Sequence, residues 1–263
     1  MNFDVYLKTI LMPCFGGLAF FSMFTTKNMN TQLNKLALVT GATKGMGLAI
    51  SRMLAAEGFH LVLSARSYLD LDVLKNELEN RHGVRVYPYV CDFLEYSELV
   101  RMVDEVMAIF KNLDVLVNNV GIYRQVSLLD ESDSDFYDQW QVNFKTAYYL
   151  CKQIGKSMRA RKSGHIFNIS SIASREPVVA AGSYTITKFA VAGLTAVLRL
   201  ELAPYGVKVT EVIPGSTLTA SWDGEQVEKD TFILPEDVAS AVRACLLMSK
   251  GAHVNEIIIK PAG

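Results

Sequence analysis

From Lys35 onward the chain alternates short β-branched or apolar runs with longer stretches of helical period. The short runs are KLALVT (35–40), HLVLSA (60–65), VRVYPYV (84–90), DVLVNN (114–119), HIFNIS (165–170), KVTEVI (208–213) and EIIIK (256–260). Most are apolar at successive positions, as strands covered on both faces are. Helical segments lie between them, near 45–57, 69–81, 97–110, 135–161, 183–204 and 235–248. Ser97 is placed to cap one helix and Asp135 precedes another. Gly58 follows a third, and Pro235-Glu236-Asp237 suits a first turn. Seven strands alternating with six helices predict one doubly wound Rossmann-type α/β domain, with a seven-stranded parallel sheet and helices on both faces. In such a sheet ligands bind outside the carboxyl ends of the strands.

The domain is expected to span 29–263, with 1–28 as an N-terminal extension. Within that extension Ile10–Phe24 is apolar apart from Ser22, but Pro13, Gly16 and Gly17 interrupt it. It is shorter than the ~20 apolar residues of a spanning helix. It also lacks the basic start and small-residue cleavage site of an export signal. A translation start at Met29 ranks first, weak membrane association second and export last. No repeat or linker marks a second domain. The interval from Pro214 to Asn255 begins rich in Gly, Ser, Thr and Asp, and reads as a loop or substrate lid followed by a helix.

Composition narrows the function. The net charge of −1 offers no excess of cations for nucleic acid or an anionic membrane. Four cysteines (Cys14, Cys91, Cys151, Cys245) include no C-x-x-C pair, and the four histidines stand apart. That pattern fits reduced thiols in a cytoplasmic protein and no metal site.

The first strand runs into Thr40-Gly41-Ala42-Thr43-Lys44-Gly45-Met46-Gly47 and then a helix. Glycines here allow a tight turn and close backbone approach, and the helix N-terminus offers free N–H groups to a pyrophosphate. The tip of the second strand, Ser64-Ala65-Arg66-Ser67, has no acid to accept from a ribose 2′-hydroxyl. Arg66 and Lys44 are cations suited to a 2′-phosphate, so NADP is expected over NAD. The alternative is that both are solvated surface residues.

Tyr184 and Lys188 lie four apart at the start of a long helix and so share a face. A phenol with a pKa near 10 needs a neighbouring cation to work as an acid–base group near neutrality. Alone, the pair is a common surface pattern. Asn168-Ile169-Ser170-Ser171, however, puts hydroxyls at the carboxyl edge of the fifth strand, and Asn143 lies in the helix before it.

TGATKGMG, Asn118-Asn119-Val120-Gly121, Asn143, Ser171, Tyr184-x-x-x-Lys188 and Pro214-Gly215, in this order, resemble the short-chain dehydrogenase/reductase family over about residues 33–263. Among its members the chain resembles the 3-oxoacyl-[acyl-carrier-protein] reductases. The resemblance implies that Tyr184 is the proton donor in carbonyl reduction and Lys188 lowers its pKa and holds the nicotinamide ribose. Ser171 orients the carbonyl, Ser170 is structural, and Asn143 holds a relay water. It implies cofactor contacts at Gly41, Thr43, Lys44, Gly45, Met46, Gly47 and Arg66. Asp92 would bond the adenine with Phe93 beside it, Asn119 would lie near the adenine ribose and Thr217 near the carboxamide. It also implies a small carbonyl or alcohol substrate, possibly carrier-bound, and a homodimer or homotetramer formed by the 135–161 and 183–204 helices. Val120 and Met46 replace the usual alanine and isoleucine. The segment from Ser216 to Gly224, with Trp222, departs from the carrier-protein reductases and leaves the substrate open. Two other readings stand beside this one: a membrane-associated reductase of lipid or steroid-like substrates, and a dinucleotide-binding sensor without turnover. The latter would be expected to have lost one of Asn143, Ser171, Tyr184 and Lys188.

Overall fold

A computed structural model of the chain describes residues 35–219 and 231–262. The N-terminal extension and Trp222 lie outside the described residues. All seven expected strands form: β1 (Leu36–Thr40), β2 (His60–Ala65), β3 (Val86–Val90), β4 (Val115–Asn118), β5 (His165–Ile169), β6 (Lys208–Pro214) and β7 (Glu256–Ile259). They make one sheet in the order β3-β2-β1-β4-β5-β6-β7, with every pairing parallel. The order reverses between β1 and β4, which opens a crevice at their carboxyl ends.

The helices are α1 (Gly45–Ala56), α2 (Tyr68–His82), α3 (Tyr96–Ile109), α4 (Asp133–Gln139), α5 (Thr146–Arg161), α6 (Gly182–Leu202) and α7 (Pro235–Leu247). Strand alternation sorts the core into two layers, because successive side chains point to opposite faces. Ala37, Val39, Leu61 and Leu63 face Ile50 and Leu54 of α1, Leu74 of α2 and Val242 of α7. Leu36, Leu38 and Val62 face Val103 of α3 and Leu150 and Ile154 of α5. Both faces are therefore buried, which is why the strands read as continuous apolar runs.

Two helix starts differ from expectation. Glu95 precedes α3 and Ser97 is its second residue; the Glu98 carboxylate instead accepts from the Asp92 N–H at 2.8 Å. Asp135 lies within the first turn of α4 and does not precede it; Ser132 caps the helix, with its Oγ accepting from Asp135 N at 3.2 Å. The α7 start holds, with Pro235 in its first turn and Asp237 accepting from Leu234 N at 2.8 Å.

The expected single helix over 135–161 is broken in its middle. Trp140–Lys145 winds as a π-helix between α4 and α5. Such turns are rare and concentrate at functional sites, and this one carries Asn143.

Candidate active site

The β1–α1 loop turns tightly into the start of α1. Gly41 and Gly45 have φ of +63° and +50°, a region that L side chains disfavour. A Cβ on Gly47 would lie 2.1 Å from the Gly41 carbonyl oxygen, so this glycine lets the loop close on its own helix. Lys44 precedes α1 without a side-chain cap, and the first turn of α1 has no acidic residue. Its N–H groups and partial positive charge thus remain available to an anion.

A cleft of about 650 Å³ runs along the carboxyl ends of β1 to β4, of a size that holds a cofactor. Its walls include Gly41, Thr43, Lys44, Gly45, Met46, Arg66, Asp92, Phe93 and Asn119. Arg66 and Lys44 are exposed and enter no ion pair among the described residues. Asn119 is fixed in the wall: its Nδ2 donates to the carbonyls of Thr40 and Gly41 at 2.9 and 3.1 Å, and its N–H donates to Thr40 Oγ1. The cleft also takes in residues not expected from sequence, among them Asp70, Ile122, Val142 and Thr219. Asp70 is the carboxylate nearest in sequence to Arg66 on this wall. It belongs to the first turn of α2 beyond the strand tip, which is why reading the tip alone missed it. Thr217 is buried, with Oγ1 donating to the Gly215 carbonyl at 3.0 Å, and it is Thr219, two residues on, that lines the cleft beside Thr43. The residues present fit a dinucleotide carrying an extra phosphate.

The second half of the site gathers on β5, α6 and the π turn. Ser171 follows β5 and starts the 3₁₀ turn Ile172–Ser174, its Oγ accepting from Ala173 N at 3.2 Å. The Ser171 side chain neighbours the Tyr184 phenol closely enough to influence its protonation. Burial pushes the phenol above its ordinary value, and Ser171 pulls against it. Tyr123 meets the Tyr184 ring edge-on, with centroids 5.0 Å apart.

Lys188 lies one turn beyond, its Nζ 5.5 Å from the Tyr184 ring centroid. The ammonium donates to the Ile169 carbonyl at 3.1 Å. Burial lowers its pKa to about 8, against the opposing pull of Glu211. The expected lowering of the phenol by Lys188 is not the dominant influence here, because burial acts on both groups and favours the neutral form of each.

Asn143 ties the elements together. Its Oδ1 accepts from Ile122 N at 2.7 Å, and its Nδ2 donates to the Ile122 carbonyl at 2.9 Å and to Thr187 Oγ1 at 3.2 Å. The side chain therefore joins the loop after β4 to the first turns of α6. Glu131, which was not expected, adds a second brace: its carboxylate accepts from Ser183 Oγ, beside Tyr184, and from Gln139 of α4. Ser170 is buried and its hydroxyl has no partner. No cluster of metal-ligating residues occurs among the described residues.

A doubly wound sheet, a glycine loop opening a helix at its switch point, and a hydroxyl–phenol–ammonium group alongside define a dinucleotide-dependent oxidoreductase of carbonyl and alcohol groups. The short chain dehydrogenase family model matches residues 35–230, and the chain belongs to this family. It is 34% identical to an uncharacterized oxidoreductase of Staphylococcus aureus, over 89% of this chain and all of the relative. Among solved structures it is similar to an alcohol dehydrogenase of the archaeon Thermococcus sibiricus complexed with 5-hydroxy-NADP, with TM-score 0.80, 28% identity and coverage of 87% and 97% of the two chains. It is also similar to the F189W actinorhodin polyketide ketoreductase with NADPH, with TM-score 0.79, 30% identity and coverage of 89% and 98%. No helix among the described residues is long and apolar enough to cross a membrane.

Proposed function

We propose that the protein is an NADPH-dependent reductase that converts a ketone, such as a 3-oxoacyl group, to an alcohol. The observation that carries this reading is the Ser171 side chain beside the Tyr184 phenol with the Lys188 ammonium one helical turn away, next to Gly121, which lines a cleft that also holds Lys44 and Arg66, two cations unpaired among the described residues. Gly41, Thr43, Gly45, Met46 and Gly47 would hold the pyrophosphate side of the cofactor, and Lys44 and Arg66 its 2′-phosphate. Asp92, Phe93 and Asn119 would bound the adenosine. Lys188 and Tyr184 would bound the nicotinamide ribose, and Thr217 would support the carboxamide end. When bound, NADPH supplies the hydride.

The chain's own residues then manage oxygen and proton. The Ser171 hydroxyl and the Tyr184 phenol both donate towards a carbonyl oxygen, which polarises the bond and fixes its orientation. Tyr184 enters protonated, as a phenol is near neutrality, and burial raises its pKa further. Such a positioned acid typically contributes about 10²–10⁴-fold. Lys188 holds a positive charge beside the phenolate as it forms. The bonds of Asn143 keep the π turn against Ile122, where a water on its backbone would link Lys188 to solvent. We place the protein in the cytoplasm as a homodimer or homotetramer.

The test is a fluorescence titration of the full chain with NADPH and NADH, followed by NADPH oxidation with ethyl acetoacetate, acetoacetyl-coenzyme A and a panel of aromatic ketones. NADPH is expected to bind at least tenfold tighter than NADH, and Arg66→Ala to erase most of that difference. Equal binding of both cofactors by the wild type would remove the role given to Arg66 and Lys44. Binding of neither would overturn the reductase reading, and NADPH binding with no turnover of any ketone would leave the dinucleotide-binding sensor in its place.

A further inference from the structure

We infer that Glu211 and Arg175 form a buried clamp that holds the Ser171 turn in place, and that both are positioning residues of the active site; the catalytic part of this rests on the reductase reading above. Glu211 sits in the middle of β6, in register with Asn168 of β5, and is 1% exposed. A carboxylate there is costly unless it is paired and fully hydrogen-bonded. In register beside it on β7 lies a second carboxylate, Glu256. Like charges facing each other on adjacent strands repel.

Arg175 answers both. Its Nη2 lies 2.9 Å from Glu211 Oε2 and 3.1 Å from Glu256 Oε2, and its Nη1 lies 3.5 Å from Glu211 Oε1. Only a planar fork reaches both carboxylates while donating elsewhere. The other donations turn back onto the loop: Nη1 donates to the Ser174 carbonyl and to Ser174 Oγ, each at 3.1 Å. Ser174 Oγ in turn donates to the Ser171 carbonyl at 2.7 Å, and Ser174 N donates to the same oxygen at 2.9 Å.

An unbroken chain of polar contacts thus runs from two sheet carboxylates to the backbone of the residue that orients the carbonyl. An apolar residue at position 211 would serve the sheet as well, since a buried ion pair adds little stability over one. What the pair supplies is a fixed anchor for one loop. The neighbouring Glu176–Lys260 pair, 2.8 Å apart, pulls in the same direction but is exposed on both sides and adds little.

The experiment compares Glu211→Gln, Arg175→Met and Arg175→Lys in the full chain, with Arg159→Gln as a control that breaks a surface ion pair. Three properties are read: kcat with whichever panel ketone the wild type reduces, the NADPH Kd, and hydrogen exchange at the Ala173, Ser174 and Arg175 amides. Glu211→Gln and Arg175→Met should lower kcat tenfold or more, leave the NADPH Kd within twofold, and speed exchange at these amides. Arg175→Lys, which keeps the charge and loses the fork, should recover part of the loss. Arg159→Gln should change nothing. If the buried variants do not fold, Glu256→Gln loosens Arg175 from its half-exposed side without stranding a buried charge, and should cost two- to fivefold in kcat. The clamp is overturned by a folded Arg175→Met or Glu256→Gln with unchanged kcat and unchanged exchange, or by loss of kcat in step with loss of NADPH binding. A wild type silent towards every ketone defeats the reductase reading instead, and exchange then judges the clamp: faster exchange upholds the anchor and unchanged exchange sinks it.

Discussion

Single residues carry the proposed chemistry, and their types were readable before their surroundings were. Tyr184 and Lys188 were identifiable by spacing on one helix face, yet the spacing did not say that both would be driven towards neutrality by burial. That shift suits reduction, in which the phenol must arrive protonated. Tyr184→Phe removes the proposed proton donor and keeps the ring, its packing on Tyr123 and the helix. Ketone reduction should fall by about 10²-fold or more, with NADPH affinity within a few-fold of wild type by fluorescence titration. Turnover within tenfold of wild type would remove Tyr184 from the role of proton donor. Gly47 shows another kind of residue-scale information. Its place in the glycine pattern suggested contact with the cofactor, whereas its absent side chain is demanded by the Gly41 carbonyl 2.1 Å from where a Cβ would be.

At the scale of elements, periodicity located every strand and most helices, and failed where two periods meet. The stretch over 135–161 reads as one helix because a π turn shifts the pattern by a single residue, too little to see against a 3.6-residue repeat. Asn143 was legible as a candidate, but the turn that aims it was not. The pairing of β5 with β6 yields a testable pH effect. His165 is buried against Phe167 and shares a hydrogen bond with Thr210, 2.8 Å from its Nε2. Thr210 gives its only proton to the Val254 carbonyl, so the imidazole Nε2 donates. Burial lowers its pKa to about 3, against the 6.5 of an unconstrained histidine. The unfolded chain then binds the extra proton first as pH falls. The stability owed to neutral His165 is therefore complete above pH 6.5 and is lost towards pH 3, by roughly 1.4 kcal/mol per pH unit within the window. Urea unfolding at several pH values should show this slope, reduced by about one proton in His165→Gln. An unchanged slope would mean that other groups govern acid stability.

For the whole molecule, the exposed residues carry information that the core does not. Ile186, Phe189, Val197 and Leu200 lie along one stripe of α6 and are 40%, 44%, 63% and 77% exposed. Gly193, in the same stripe, has open space where a side chain would be. Within α6, Val191 turns into the core while Val197 faces out. A stripe of this kind is what the proposed helix-to-helix association of two copies would cover. Light scattering on the full chain should give the mass of a dimer or tetramer, and Val197→Glu with Leu200→Glu should reduce it. A monomeric wild type would require another explanation for the stripe.

The order of strands and helices, the double burial of the sheet, the phosphate loop and the identities of Asn143, Ser171, Tyr184 and Lys188 all followed from sequence. Each depends on local spacing or on residue type, which a chain displays in one dimension. The tertiary structure alone decided what depends on segments far apart in the chain. It set Asp70 and Thr219 in the cleft wall, and Asn143 between Ile122 and Thr187. It placed Arg175 between carboxylates 36 and 81 residues further along. These positions arise from the order in which parallel strands stack, and a charged residue in a strand shows its purpose only when its partner arrives from another loop.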